Sequence, residues 1–395
     1  MKREFAEFKN NLSTLRDAKR KYKKLQDHLN TFPVGFPSTL SGIELRILRD
    51  IFTPEEADAA LNFSYRLEPF DRIYDRAREK GFSLDEFRDM VNRLDSKGAL
   101  SIKEGDHETR YALHPFLIGI FEMQTVRLNP SLYLNLYEYY LKRFAVEYLT
   151  TEIPQLRVIP IQKSIRPDHN ITTYDQMSEL IDRTKDKISL IECICRKGKD
   201  LIGDSCRTTD RRKLCLHLRE YHDHSMRFNR GRTISKEEAL EILAQSEKEG
   251  LVLMPDSTQE IQQLCSCCSC CCGLLGILKT LPRPVDFVAS NFYAVLDPRL
   301  CVGCGRCQSR CHMGAVKFQE DRAIGIDRKK CIGCGLCVST CKAGALRLMK
   351  KEKVFIPPKD FQELHEIFIN NKKTGVRKIW TMAKAYLGFK VGELG

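Results

Sequence analysis

No run of this 395-residue chain stays apolar for the roughly 20 residues that a membrane-spanning helix needs, so a helical span is excluded at the level of sequence. The opening residues, Met1-Lys2-Arg3-Glu4, carry no apolar signal core, and the expectation is a cytoplasmic protein. The phosphate-cradling patterns G-x-G-x-x-G and G-x-x-x-x-G-K-[ST] are both missing, so no bound nicotinamide, flavin or ATP is indicated. Acidic residues are in deficit: 65 Lys and Arg against 52 Asp and Glu give a formal net charge of +13. That excess can compensate anionic metal sites, or steer an acidic protein, a nucleic acid or an anionic membrane surface.

What the chain has in quantity is cysteine, 18 residues. In a reducing compartment such a density favours metal ligation over a disulfide scaffold. Hydrophobic residues make up 42% and charged residues 30%, which allows a sizeable core in a soluble globular chain. The length predicts about two or three domains.

Eight of the cysteines fall in a repeat between Asp297 and Met349. Cys301, Cys304, Cys307 and Cys311 recur 30 residues later as Cys331, Cys334, Cys337 and Cys341, and Asp297, Gly303 and Gly305 recur as Asp327, Gly333 and Gly335. Each half has the spacing C-x2-C-x2-C-x3-C, the ligand spacing of a four-iron, four-sulfide cubane, so the repeat predicts two [4Fe–4S] sites. Clusters of this class are oxygen-sensitive, which points to an anaerobe.

This repeat resembles the bacterial two-cluster ferredoxins. The resemblance implies that the fourth cysteine of each motif ligates the other cluster. One cluster then takes Cys301, Cys304, Cys307 and Cys341, and the other takes Cys331, Cys334, Cys337 and Cys311. The glycines let the backbone wrap closely. Ala315–Phe318 and Ala323–Ile326 read as a hairpin around Glu320-Asp321, and Ala345–Met349 as a further strand. Ferredoxins usually place Pro after the fourth cysteine, whereas His312 and Lys342 stand there in this chain. Positive or titratable charge at those positions is expected to raise the reduction potentials above those of a small acidic ferredoxin.

Ten cysteines lie outside the repeat. Cys193, Cys195, Cys206 and Cys215 form one sparse set; Cys265, Cys267, Cys268, Cys270, Cys271 and Cys272 form one dense run. Adjacent thiols are reactive unless bound, and soft thiolates select iron–sulfur clusters, zinc or copper(I). Three readings are open. One or two additional iron–sulfur clusters are shared between the two sets; or one zinc sits on the first set, with His217, His222 or His224 able to replace a cysteine; or the thiols are redox-active without metal. Arg196 and Lys197 follow the C-x-C and would offset thiolate charge. Cys271-Cys272-Gly273 locally resembles the CCG motif of heterodisulfide reductase-like proteins. The combination CICRKGKDLIGDSC, CSCCSCCCG and VASNFYAVLD resembles larger ferredoxin-like proteins of anaerobes, described as four-iron four-sulfur binding proteins. That resemblance implies that residues 150–350 work as one multi-cluster unit.

Upstream, Phe5, Phe8, Leu12, Leu15, Tyr22 and Leu25 recur on one side of a helix over residues 1–30, with a basic face at Lys19–Lys24. Ser41-x-x-Glu44, Thr53-Pro54-x-Glu56 and Ser83-x-x-Glu86 read as capping boxes, and Ser235-x-x-Glu238 caps a helix to about Glu249. Another helix is expected at Pro69–Lys80. Helices closed by strands at Ala99–Ile102 and Thr109–Ala112 resemble a winged helix over residues 38–115. Its candidate recognition helix, Leu84–Lys97, mixes Asp85, Glu86, Asp89 and Asp95 with Arg88, Arg93 and Lys97, which favours protein contact over nucleic acid. Ser131–Leu149 reads as a helix with an aromatic stripe, Arg157–Ile161 as extended, and Tyr174–Lys187 as helical. The tail helices, Phe361–Asn370 and Val376–Leu387, are basic and amphipathic and carry Trp380, the only tryptophan. They suit packing on the protein, or contact with a membrane surface at the inner face.

The expected fold class is α+β and multidomain: a mainly helical N-terminal region, a mixed cysteine-rich middle region and a dicluster ferredoxin-like domain. The segments are 1–37, 38–150, 151–290, 291–350 and 351–395. The expected function is an iron–sulfur electron-transfer protein or oxidoreductase subunit serving redox partner proteins. Two alternatives stand beside it: a redox-sensing transcription regulator acting through the winged helix, and a thiol/disulfide oxidoreductase centred on Cys265–Cys272.

Overall fold

The computed structural model describes residues 2–105, 107–165 and 175–391, with side chains described from residue 14 onward. Two compact units divide the chain at Phe144/Ala145.

The first unit begins with α1 (Lys2–Asn30). Tyr22, Leu25 and Leu29 are buried along it, whereas Leu15 is 67% exposed and does not join the apolar face expected of it. The side chains of Phe5, Phe8 and Leu12 lie outside the described residues. There follow α2 (Ile43–Ile51), α3 (Pro54–Ala60), β1 (Glu68–Pro69), α4 (Phe70–Glu79), α5 (Leu84–Ser96), β2 (Leu100–Glu104), β3 (Thr109–Leu113) and α6 (Pro130–Tyr139). The three strands form an antiparallel sheet in the order β1-β3-β2.

The boxes at Thr53/Glu56 and Ser83/Glu86 close reciprocally, each hydroxyl accepting the amide three residues on and each carboxylate accepting in return. The box expected at Ser41/Glu44 does not form. Gly42 caps α2 in a left-handed conformation, and Thr39 takes the role instead: its hydroxyl accepts from the Ile43 amide at 3.2 Å and donates to Glu44 at 2.6 Å. The aromatic stripe after Asn129 packs inward through Tyr133 and Tyr139, and the helix widens into a π-type turn at Tyr140–Phe144.

The second unit holds the cysteines. It contains α7 (Ala145–Thr150), α8 (Met177–Asp182), β4 (Ile188–Glu192), α9 (Ile194–Leu201), β5 (Lys213–Leu218), α10 (Arg219–Arg227), β6 (Gly231–Thr233), α11 (Lys236–Glu249), β7 (Val252–Pro255), β8 (Gln263–Cys267) and α12 (Gly273–Thr280). The helix expected over Tyr174–Lys187 is only the short α8; Tyr174 is outside the described residues. Lys185 and Asp186 have positive φ, and this left-handed turn stops the helix before β4. A five-stranded antiparallel sheet, β6-β4-β5-β8-β7, forms the middle of the unit.

The part that carries the cysteine repeat follows as β9 (Phe292–Leu296), α13 (Arg306–Ser309), β10 (Val316–Gln319), β11 (Arg322–Ile326), α14 (Leu336–Thr340) and β12 (Leu346–Lys350). It has two antiparallel pairs, β10-β11 and β12-β9. The extended segment 157–161 ties this part to the sheet. The Arg157 amide donates to Pro255 O at 3.0 Å, that of Val158 to Ala289 O at 2.9 Å, and that of Ile161 to Cys334 O at 3.1 Å. The tail forms α15 (Phe361–Asn370) and α16 (Gly375–Leu387). Lys378 pairs with Glu147, and Thr381 and Ala385 are buried, while Val376, Ile379, Trp380 and Leu387 stay exposed. Among the described residues, no helix is long and apolar enough to cross a membrane.

Candidate metal centres

In the repeat, the tight loops bring cysteines of both halves together. Cys307 lies beside Cys301 and Cys341. Cys331, Cys334 and Cys337 lie beside Cys311, and these four sulfur-bearing residues line one cavity with Ala294, Ala315 and Ile326. The grouping follows the two helices: each short helix starts one residue before its third cysteine, and the fourth cysteine leaves from its end toward the other loop. Backbone amides point at the sulfurs. Those of Ala294, Ala315 and Ala323 donate to Cys331, Cys311 and Cys301 at 3.3, 3.2 and 3.4 Å. Burial pushes the Cys334 thiol up to about 12, so without a metal it holds its proton.

The two loops differ in cover. The second is overlaid by the rest of its unit: Gly333 sits at φ +72° with Phe292 O so close that an added Cβ would lie 2.2 Å from it. The first loop is closed only at Gly303, where a Cβ would lie 2.5 Å from Asp321 O, and is open beyond it, whereas in the second loop a Cβ on Gly335 would lie 2.2 Å from Ser164 Oγ. Cys304, Leu300 and Val302 are exposed, and a Cβ on Gly305 would meet nothing within 4 Å.

His312 does not stand free beside Cys311. Its Nε2 lies 2.7 Å from Gly250 O, and its Nδ1 lies 3.3 Å from the Ser269 amide and 3.2 Å from Ser269 Oγ. Nε2 donating to the carbonyl and Nδ1 accepting the amide satisfy all partners with a neutral ring. Burial also holds its pKa below the ordinary histidine value. The charge expected at this position is therefore not carried by His312. It serves instead as a bridge from Cys311 to Ser269, which stands between Cys268 and Cys270. Arg310 reinforces the join by donating to the Glu247 and Lys248 carbonyls at the end of α11. Lys342, its counterpart in the second half, is exposed.

The ten remaining cysteines assemble differently from their order in the chain. Among the described residues, Cys206, Cys268, Cys270 and Cys271 place all four sulfurs within 4.8 Å of one another, a set that could hold a metal ion. Individual separations are 3.6 Å for Cys206–Cys268, 3.8 Å for Cys206–Cys270 and 3.4 Å for Cys268–Cys270. The zinc set expected on Cys193, Cys195, Cys206 and Cys215 is thus divided, because the loop after α9 carries Cys206 across to the dense run. Nor do the nearby histidines complete it. His217 Nδ1 bonds Ser225 Oγ, His222 bonds Asp223 and Thr233, and His224 bonds Arg230.

Arg196, only 1% exposed, stands between the two sulfur groups. It donates to Cys193 Sγ at 3.6 Å, Cys268 Sγ at 3.2 Å and Ser266 O at 3.0 Å. Among the described residues, no carboxylate pairs with it. Burial alone would lower its pKa, yet the charges on Cys193 and Cys268 outweigh burial and raise it. The Cys268 thiol is pulled down to about 4, first by the hydrogen bond from Cys271 and then by Arg196, against the cost of burial. A buried guanidinium with sulfur partners fits anionic, metal-bound thiolates. The sequence singled out Arg196 by its place after the C-x-C; nothing in it announced the second contact, to Cys268.

Residues 294–348 match the family model described as a 4Fe-4S dicluster domain. The chain therefore contains an iron–sulfur, ferredoxin-like domain. No curated protein and no solved structure matches the chain.

Proposed function

We propose that this protein is an electron-transfer protein or subunit with three connected metal sites. One [4Fe–4S] cluster is held by Cys301, Cys304, Cys307 and Cys341, and a second by Cys331, Cys334, Cys337 and Cys311. A further thiolate-bound centre is held by Cys206, Cys268, Cys270 and Cys271. When bound, such clusters accept and release single electrons. Cys304 exposes the first site to a redox partner. Gly333 and the segment around Ile161 exclude water from the second. His312 fixes the distance between Cys311 and the run at Cys268–Cys271, and this hydrogen-bonded join is the observation that carries the proposal. A solvated, unconnected loop would leave a ferredoxin beside an unrelated thiol site.

A potentiometric titration of the anaerobic protein, followed by EPR, tests it. The expected result is two one-electron centres with mutually broadened spectra, plus a change in either signal when Cys270→Ala removes a ligand of the third site. Two isolated signals indifferent to that substitution contradict the connection.

The winged-helix reading of residues 38–115 rests on the order helix, helix, strand, helix, helix and hairpin, with the sheet order β1-β3-β2. We infer that this module docks a protein and not DNA. Arg93 and Lys97 are spent on Glu56, which is 1% exposed, and Arg88 stacks over Phe70 at 5.9 Å. The face left on α5, with Asp85, Glu86 and Asp89 exposed, repels phosphate. Specific duplex binding in a gel shift would favour the regulator reading instead.

A further inference from the structure

The six cysteines left over from the sites above are scattered in the chain, but the sheet gathers them. Ile191 of β4 pairs with Cys215 of β5, and β5 pairs with β8 through Leu216–Leu264 and His217–Gln263. The next position along that register sets Cys215 beside Cys265. Cys267 lies two residues further on β8, on the same face. Cys193 and Cys272 are the residues that open α9 and α12, and Cys195 is in the first turn of α9.

The contacts run as a chain of neighbours. Cys193 and Cys215 are buried in one cluster with Cys195 and Cys265 packed against it, and the thiols influence one another's protonation in the order Cys195, Cys193, Cys215, Cys265, Cys267, Cys272. Cys272, the N-cap of α12, also acts electrostatically on Cys195 in the first turn of α9, so the circuit of neighbours returns toward its start. Four of the six are buried and two are half-buried.

We propose that Cys193, Cys195, Cys215, Cys265, Cys267 and Cys272 form a second non-ferredoxin centre, separate from the Cys206 site and holding a polynuclear thiophilic metal group, either an iron–sulfide cluster or bridged metal ions. A single tetrahedral ion uses four thiolates and would leave two reactive thiols against it. Six sulfurs in a circuit match two or more metal ions with shared ligands. Each thiol that binds loses its proton, so the site gains negative charge. Three features of the fold meet that charge: the amino ends of α9 and α12 point from Cys193 and Cys272, and Arg196 donates to Cys193 Sγ at 3.6 Å. Arg196 reaches Cys268 of the other site with the same guanidinium, at 3.2 Å. It is the shared cation of both centres and the reason two anionic sites can sit so close.

The competing arrangement is six thiols without metal, which oxidation would convert to as many as about three disulfides. The full-length protein, purified anaerobically, distinguishes the two. Iron, zinc and acid-labile sulfide are counted per chain for the unaltered protein and for Cys195→Ser, Cys267→Ser and Cys270→Ser. The unaltered chain should hold about eleven or more metal ions. Cys195→Ser and Cys267→Ser, on different elements, should each lower that number by about two or more. Cys270→Ser should remove a different share, and the EPR signals of the dicluster domain should remain present in all three, altered in shape or potential in Cys270→Ser but not lost. An unchanged count in Cys195→Ser and Cys267→Ser, or the same loss from Cys270→Ser as from Cys195→Ser, overturns the proposal. Because Cys195 lies in the first turn of a helix and Cys267 ends a strand, misfolding of one variant leaves the other to decide. Failure of the electron-transfer reading would look different: the unaltered protein itself would lack the cubane signals.

Discussion

Replacing Arg196 by Met separates charged from neutral thiol sites by the sign of the effect. The guanidinium lies 3.2 Å from Cys268 Sγ and 3.6 Å from Cys193 Sγ. At a mean of about 3.4 Å and an effective dielectric near 20, one unit of negative charge on those sulfurs interacts with it by about 5 kcal/mol. If the thiols are metal-bound and anionic, Arg196→Met leaves buried negative charge uncompensated and should destabilise the loaded protein by about 3–5 kcal/mol. If they are neutral, Arg196 is an unpaired buried cation, and a Met of similar volume should be neutral or stabilising by about 1–4 kcal/mol. Denaturant unfolding of the anaerobic protein, followed by loss of its visible absorbance, reads the difference. The same substitution should move the reduction potentials of the non-ferredoxin centres downward. About 5 kcal/mol on one electron bounds that shift at about 200 mV, and spreading of charge over several sulfurs reduces it. Arg196→Lys keeps the charge without the fork that reaches both sites, and should fall between the two. An Arg196→Met protein as stable as the unaltered one, with unshifted potentials, would refute the reasoning.

Gly333→Ala should abolish the second cubane, since the added Cβ lies 2.2 Å from the Phe292 carbonyl oxygen, while Gly305→Ala at φ +69° should cost only about 1–2 kcal/mol; iron counts on the two variants check this. His312→Ala should remove hydrogen bonds to Gly250 and Ser269 and destabilise the second unit by about 1–3 kcal/mol without loss of cubane iron, as measured by thermal unfolding beside iron analysis. Burial opposes ionisation of Glu56, but the hydrogen bond from Lys97, the Thr53 amide and Arg93 outweigh it and hold its carboxyl below the ordinary value of 4.5. Its stabilising share is therefore present above about pH 4.5 and lost as pH falls through the lower folded value. Glu56→Gln should flatten the acid limb of the first unit's stability curve, and an unchanged limb would discount the pair.

The repeat at 297–349 was legible because ligand spacing is local: cysteine loop, glycine turn and hairpin follow one another within about thirty residues. The reciprocal boxes at Thr53 and Ser83 were legible for the same reason. At Ser41 the same pattern misled, because it is Thr39 whose hydroxyl donates to the Glu44 carboxylate and the backbone turns through Gly42. The five-stranded sheet was not anticipated. Ile188-Ser-Leu-Ile-Glu and Leu214-Cys-Leu-His-Leu show strand character, but nothing local to either segment states which strand it pairs with. Partitioning of the ten other cysteines could not be read at all. It depends on strand register, which sets Cys215 beside Cys265, and on a loop that swings Cys206 away from its sequence neighbours. His312 shows the same limit: its position after Cys311 suggested charge, and only its distant partners Gly250 and Ser269 make it a neutral bridge.

The central claim, that two cubanes are connected to further thiolate-bound metal, is tested most directly by the iron, zinc and sulfide content of the anaerobically purified full chain, set against the integrated EPR intensity of its reduced state. About two spins per chain are expected from the dicluster domain, with metal in excess of the about eight irons that domain can hold. Iron plus zinc totalling no more than about eight per chain, or iron below about eight with no fast-relaxing signal on reduction, would contradict it.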